Sequence, residues 1–228
     1  MLSGNAILFS EMTPDTSWEG HFNDWYDTHH NPVRMVCEGF LSAQRFRNTT
    51  PGSRSYLAVY ELDSLGALNT PAYQAVKLHP SAQTAQMLGG VTDFTRYLCE
   101  QISDQRADAL QGAKGDGGLN SAFIYALWFK VPQDELAEFD AWYTEDHVPL
   151  LLRCKDWLHV RRFNVVDGSP NKWNRLALHY LVTPDALDSS ERAEARVTPW
   201  RSKLAARPWF KGEYQVFSRL GPRHLSTN

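Results

Sequence analysis

Cysteine is scarce in this 228-residue chain: Cys37, Cys99 and Cys154 are the only three, and no two stand at Cys-x-x-Cys spacing. An odd count without that spacing argues against a disulfide framework and against a cysteine-held zinc. Long apolar runs are missing too, since none reaches the roughly 18–20 residues that span a bilayer as a helix. The opening Met1-Leu-Ser-Gly-Asn-Ala has neither the basic nor the apolar region of a secretory signal. Both absences point to a cytoplasmic protein with no membrane partner. Basic excess is absent as well. A net charge of -3 argues against a nucleic-acid partner, which needs a positive surface. No Gly-x-Gly-x-x-Gly, phosphate loop, Gly-x-Ser-x-Gly elbow or His-Glu-x-x-His occurs. His29 and His30 are adjacent and do not easily share one ion from a helix, so no metal site is expected.

What the chain does have is aromatic. Hydrophobic residues make up 43% and charged ones 21%, an ordinary globular balance. Tryptophan, however, occurs eight times, more than a core needs. Some of these rings are expected to wall a pocket for a flat or greasy ligand, although core packing explains most of them singly. The pattern Trp-Tyr-x-x-x-His-x-Pro runs from Trp25 to Pro32 and again from Trp142 to Pro149. At this offset of 117, nine of the 25 positions from Phe22 to Phe46 are identical without a gap: Phe22, Trp25, Tyr26, His30, Pro32, Cys37, Leu41, Arg45 and Phe46 recur as Phe139, Trp142, Tyr143, His147, Pro149, Cys154, Leu158, Arg162 and Phe163. The chain is read as a duplication, with Cys37 and Cys154 as small buried apolar residues.

Taken in order, Ala6 to Ser10 reads as a buried strand. Asp15, Thr16 and Ser17 offer helix caps, and a helix follows to about Cys37, kinked or ended by Pro32. Phe40 to Arg47 and Tyr56 to Tyr60 form a hairpin across Thr49-Thr-Pro-Gly-Ser53. Leu65 to Leu78 is a second helix interrupted near Pro71, and a less regular stretch leads to a strand at Phe94 to Leu98. The second pass gives strand 122–131, helix 134–154, strands 157–166 and 176–182, broken helix 186–206 and strand 213–220. Each half is thus a β-α-β-β-α-β, ferredoxin-like unit of α+β class. The halves are expected at 1–106 and 121–228, joined by a Gly-rich linker at 107–120 that holds Gly112, Gly115, Gly117 and Gly118. Two sheets covered by helices on one face only would bury their other faces together, closing an eight-stranded barrel.

Helical spacing puts Phe22, Tyr26, His30, Val33 and Cys37 on one stripe, and Leu136, Phe139, Tyr143, His147, Leu150 and Cys154 on its copy. Each histidine then lies one turn beyond a tyrosine. An imidazole beside a phenol among aromatic walls suits proton transfer. The plain alternative is a histidine that answers the dipole and carbonyls of a helix end. Arg45 and Arg162, on equivalent strands, either bind a carboxylate, enolate or phenolate or form ordinary ion pairs. His29 and Asp146 differ between the copies. Neighbours on a helix point apart, so direct contact of Asp146 with His147 is not expected. His29, His79 and His179 are further candidates for a pocket wall.

The run Phe22-Asn-x-Trp-Tyr-x-x-x-His-x-Pro, then Gly39-Phe-Leu-x-Ala-x-Arg45 and Tyr56-Leu-Ala-Val-Tyr60-Glu-Leu, resembles the dimeric α/β-barrel superfamily and within it the EthD-like branch. The likeness covers about residues 6–100 and, in register, 121–220. Two such domains in one chain resemble tandem members. The resemblance implies a ligand cavity in each half, between sheet and helices, lined by first-helix aromatics. It covers cofactor-independent monooxygenases, polyketide cyclases, lactone isomerases, dehalogenases and haem-handling enzymes, so it narrows the chemistry little. The branch often carries an acid before the motif histidine. Asp146-His147 keeps that feature and His29-His30 departs from it, so the two sites need not be equivalent.

The expected function is proton-transfer chemistry without a cofactor, an elimination, isomerisation or cyclisation of a small hydrophobic or aromatic carbonyl compound, as in aromatic catabolism. His30 or His147 would be the base, Tyr26 or Tyr143 the donor to the oxyanion. Arg45, Arg162, His29, His79, Trp25 and Trp142 would bind substrate. The alternatives are an oxygenase, haem-dependent or cofactor-free, and a non-catalytic carrier. A monomer with an internal pseudo-dimer and a homodimer are both compatible with the duplication.

Overall fold

The computed structural model describes residues 2–110 and 117–228. The first pass of the fold is β1 (Ala6–Thr13), α1 (Glu19–Trp25), α2 (Pro32–Met35), β2 (Phe40–Asn48), β3 (Tyr56–Leu62), α3 (Pro71–Leu78), α4 (Ala82–Gly90) and β4 (Thr92–Arg106). The second is β5 (Phe123–Phe129), α5 (Leu136–Trp142), α6 (Val148–Leu151), β6 (Trp157–Ser169), β7 (Arg175–Leu181), α7 (Ser190–Ala195), α8 (Pro199–Ala205) and β8 (Glu213–Leu225). The strands follow one another in the closed order β1-β3-β2-β8-β5-β7-β6-β4, an eight-stranded antiparallel barrel. The α+β class and the repeated ferredoxin-like order are as the sequence implies.

Two compact units share the chain: residues 1–100 with 166–171 and 220–228, and residues 101–165 with 172–219. In the first, β1 is buried along nearly its whole length and pairs antiparallel with β3 and with β4, which is why Ala6 to Phe9 is apolar without alternation. In the second, β5 pairs with β7 and β8 in the same manner. Helical Phe22, Trp25 and Tyr26 pack with Phe40, Tyr60 and Tyr73 in the first core, and Phe139, Trp142 and Tyr143 with Phe129 and Trp157 in the second. Full burial of such side chains stabilises by roughly 1.5–3 kcal/mol each.

The first helix of each unit is interrupted by a wide turn just before its proline, at Tyr26–His30 and at Tyr143–His147. There Asn31 N–H reaches the Tyr26 carbonyl and Val148 N–H the Tyr143 carbonyl, five residues back instead of four. Proline is the cause. Pro32 and Pro149 have no N–H to give, and in a regular helix their rings would strike the carbonyl four residues earlier. One extra residue in the turn relieves that clash, making a π-bulge of the kind often found at functional sites.

Two expectations need correction. Residues 82–90 are helix α4, capped by Ser81 through Thr84 N–H at 3.2 Å. Pro80 reads as an end, and only Thr84 and Met87 of α4 are buried, so no apolar stripe advertises it. Strands β4, β6 and β8 run well beyond their apolar segments, β4 to Arg106 rather than Leu98. Backbone pairing continues there without an apolar pattern to mark it. Of the expected linker, residues 111–116, with Gly112 and Gly115, lie outside the described residues. Gly117 and Gly118 adopt positive φ at its far end. The three cysteines are free and buried. Among the described residues, no helix is long and apolar enough to cross a membrane.

Candidate functional site

Each unit holds a cavity beside its π-turn. The first, about 310 Å³, is lined by Tyr26, His30, Arg34, Tyr60, Tyr73 and Arg96 among others. The second, about 300 Å³, is lined by Trp142, Tyr143, His147, Trp157, His179 and Phe210, with Arg192, Arg196 and Arg201 on its wall. Both volumes lie at the small end for ligand sites. A larger hollow, about 850 Å³, lies in the second unit along residues 104–110 and 149–158. No histidine, tyrosine or tryptophan lines it among the described residues.

The wide turn folds each histidine back onto two rings at once. His30 lies 4.3 Å from Trp25 and 4.6 Å from Tyr26, and His147 lies 4.8 Å from Trp142 and 5.2 Å from Tyr143, centroid to centroid. Burial holds His30 well below the usual imidazole range, with Arg34, His29 and Arg45 adding to the effect. Burial likewise brings His147 down to about 3, against the partial opposition of its bond to the Ala195 carbonyl. Both rings are therefore neutral near pH 7.

Hydrogen bonds fix the proton positions in the second unit. The Ala195 carbonyl only accepts, so the 3.3 Å contact to His147 Nδ1 places the proton on Nδ1. The lone pair of His147 is then on Nε2. Trp157 Nε1–H donates to His179 Nδ1 at 3.0 Å, which makes that nitrogen the unprotonated one. Burial keeps His179 well below its ordinary pKa and neutral, so its single N–H is on Nε2 and donates to the Tyr143 oxygen 2.7 Å away. Tyr143 has thereby taken its hydrogen bond as an acceptor, and its own O–H proton is free for a ligand. Burial raises the Tyr143 pKa, so the phenol stays protonated.

The first unit is wired differently. Tyr60 stands where His179 does, because Leu8 faces Tyr60 across its strand pair as Tyr125 faces His179. The Tyr60 hydroxyl reaches Asn31 Oδ1 at 3.1 Å and shares a hydrogen bond with Tyr26. His30 Nδ1 is buried and meets no partner among the described residues. Nothing there selects its tautomer.

Arg45 and Arg162 do not line either cavity. Arg45 is 1% exposed and binds Asp27 (3.2 Å) and the side chain of Asn23 (2.6 Å). Arg162 pairs with Asp140 and Thr144. Each guanidinium lies 4.5 Å from the ring of Tyr26 or Tyr143, behind the tyrosine rather than in front of it. Their partners on the helix hold them there, so these arginines position the rings and are not placed to touch a substrate. Trp142 lines its cavity but Trp25 does not. His29, bonded to Ser81 Oγ at 3.2 Å, and exposed His79 border a separate hollow of about 190 Å³. Asp146 accepts from Thr198 Oγ1 at 2.6 Å. Among the described residues no cluster of His, Cys, Asp or Glu is arranged to hold a metal.

No known protein-family profile matches the chain, and no curated protein matches it in sequence. Solved structures do match. A crystal structure of an anthrone oxidase-like protein superposes with a TM-score of 0.69 at 12% identity, over 98% of this chain and 94% of that one. A chlorite dismutase from Candidatus Nitrospira defluvii gives 0.62 at 8% identity, over 97% and 92%. A monooxygenase candidate from Fusobacterium nucleatum gives 0.56 at 10%, over 97% and 95%. These neighbours belong to the dimeric α/β-barrel superfamily. The chain has the dimeric α/β-barrel fold. At identities this low the likeness extends to the fold alone, and the chemistry rests on the cavities.

Proposed function

We propose that the chain is an enzyme of the dimeric α/β-barrel fold that removes a proton from carbon next to a carbonyl, in a small hydrophobic or aromatic compound. We place the reaction in the second unit, and we read the chain as a tandem member nearest the EthD-like branch. The observation that carries this reading is a base and an acid opening into one aromatic cavity, the His147 Nε2 lone pair and the Tyr143 hydroxyl proton. The base takes the C–H proton and the phenol donates to the oxygen that becomes the enolate. His147 is a weak base in the empty site. The imidazolium it forms lies beside a new enolate, whose charge offsets the cationic field of Arg201, Arg192 and Arg162. Return of the proton at another carbon gives isomerisation, loss of a leaving group gives elimination, and internal attack gives cyclisation.

A second reading is favoured by what the structural neighbours are, an anthrone oxidase-like protein and a monooxygenase candidate. The same enolate would react with dioxygen, and the net change at a methylene would be CH2 + O2 → C=O + H2O. His147 and Tyr143 perform the same first step in both readings. Neither needs a bound cofactor. A haem does not fit here: His147 Nε2 has the donor chemistry of an axial ligand, but a cavity of about 300 Å³ has no slot for a tetrapyrrole. The protein would act as a cytoplasmic monomer with an internal pseudo-dimer, or as a homodimer.

Deuterium wash-in at the activated carbon of 2-tetralone in D2O, followed by NMR, tests the shared step. Exchange well above buffer that disappears in His147→Ala is the expected result. Equal exchange in the two proteins overturns the reading. Oxygen uptake in the same sample separates the two outcomes of the enolate.

A further inference from the structure

Three cations face the second cavity without an acid to balance them. Arg192 and Arg196 end α7, and Arg201 follows on α8. No Asp or Glu lines the cavity, and among the described residues none of the three forms an ion pair. Nearby acids are engaged elsewhere: Glu194 holds Arg153 at 3.0 Å and Asp146 takes the Thr198 hydroxyl. Arg192 and Arg196 could be explained as cations at a helix C-terminus. Arg201 cannot, since it lies in the first turn of α8, where the helix dipole disfavours positive charge.

Two of the guanidiniums are also held in place. Arg192 Nη1 donates to the Leu187 carbonyl at 2.6 Å, Arg201 Nη1 to the Arg196 carbonyl at 3.0 Å, and Tyr125 shares a hydrogen bond with Arg192. Each of these contacts uses one donor of five and leaves the others for a ligand. The Arg201 guanidinium packs 5.7 Å from the Phe210 ring, which lines the same cavity. The like charges oppose one another: burial and then Arg196 and Arg192 lower the Arg201 pKa.

We propose that the second cavity binds a flat hydrophobic acid, its ring among Trp142, Tyr143, Trp157 and Phe210 and its carboxylate on Arg192, Arg196 and Arg201. This names the substrate class of the site proposed above. It rests on that reading for the reaction, while the binding stands on the arginines themselves. The anion would also quiet the field that Arg201 and Arg192 impose on His147. A substrate's own carboxylate would then make the base stronger once bound, so that an acid is turned over faster than a neutral analogue.

Isothermal titration of the full chain with 2-naphthoate and with 2-naphthamide tests the binding, since the two share a ring system and differ in charge. Naphthoate is expected to bind about tenfold tighter or more, the scale of charge-assisted over neutral hydrogen bonds. The preference should vanish in Arg192→Gln/Arg196→Gln/Arg201→Gln and survive in Arg153→Gln, a surface control. Equal affinity for the two ligands overturns the proposal, as does a preference that persists in the triple variant. Should that variant fail to fold, Arg201→Gln alone must cut the preference at least severalfold, and an unchanged preference overturns the proposal. His147→Ala should still prefer naphthoate, so a failure of the proton-transfer reading leaves this result readable.

Discussion

The two units carry the same Trp-Tyr-x-x-x-His-x-Pro motif and bind their central tyrosine in different ways. In the second, Tyr143 accepts from His179, which Trp157 fixes in one tautomer. In the first, Tyr26 meets Tyr60, and Phe40 stands where Trp157 would be. Tyr60 gives its one proton to Asn31 Oδ1, so in its hydrogen bond with Tyr26 it accepts and Tyr26 donates, whereas the Trp157–His179 pair leaves the Tyr143 proton free. The histidines diverge in parallel, His147 anchored on Ala195 and His30 without a partner at Nδ1. The rings recur in both units and the hydrogen bonds differ. Shape alone therefore says little about which copy reacts.

The sharpest way to break that comparison is to remove each histidine in turn. His147→Ala is expected to lower turnover by roughly 10²–10⁴-fold, the usual contribution of a positioned base. His30→Ala should change it less than about tenfold. Equal losses would mean that the tautomer argument does not decide between the copies. Next in size is Tyr143→Phe, which removes one oxyanion donor and should cost about 10²-fold or more in kcat, with Tyr26→Phe nearly silent.

Stability should separate the halves too. His179→Leu leaves the Trp157 N–H without a partner and deprives Tyr143 of its donor, each at roughly 1–3 kcal/mol in a urea titration. Tyr60→Phe removes a single hydroxyl and should cost about 1 kcal/mol. A dependence on pH is shared by both units. His30, His147, His159 and His179 all have folded pKa values below the ordinary imidazole value. The unfolded chain thus binds more protons as pH falls, so stability is full above about 6.5 and declines toward pH 3. Buried Glu11, raised by desolvation, opposes this trend as a single group. Urea midpoints at pH 7 and pH 4.5 check the sign, and an unchanged midpoint would show that these imidazoles are not buried neutral.

Much of this was readable before any coordinates. Repetition of Trp-Tyr-x-x-x-His-x-Pro marked where both first helices are interrupted, because aromatic rings and a proline six residues past the tyrosine leave a local trace. His179 was a candidate for a pocket wall, but its role between Trp157 and Tyr143 escaped because those contacts lie 22 and 36 residues away and depend on strand register. A trace existed all the same. Leu57-Ala-Val-Tyr60-Glu-Leu and Leu176-Ala-Leu-His179-Tyr-Leu align once the offset shifts from 117 to 119, as the longer second hairpin requires. The cavity arginines left none, since Arg192, Arg196 and Arg201 read as ordinary surface cations on broken helix. Arg45 and Arg162 were recognisable as a pair. Which side of the tyrosine they would occupy depended on Asp27, Asn23 and Asp140, and no spacing rule reports that.

The first unit is completed by the last residues of the sequence. Gln44 Nε2 donates to the carbonyls of Leu220 and Gly221, Ser226 N–H to that of Leu41, and Thr227 N–H to that of Met35. On the ribosome, residues 1–100 must therefore wait for 220–228 before their own sheet is finished. Domains usually fold in the order they are made. Here the earlier half closes last, with its cavity wall already synthesised and its edge still bare until the end of the sequence is made.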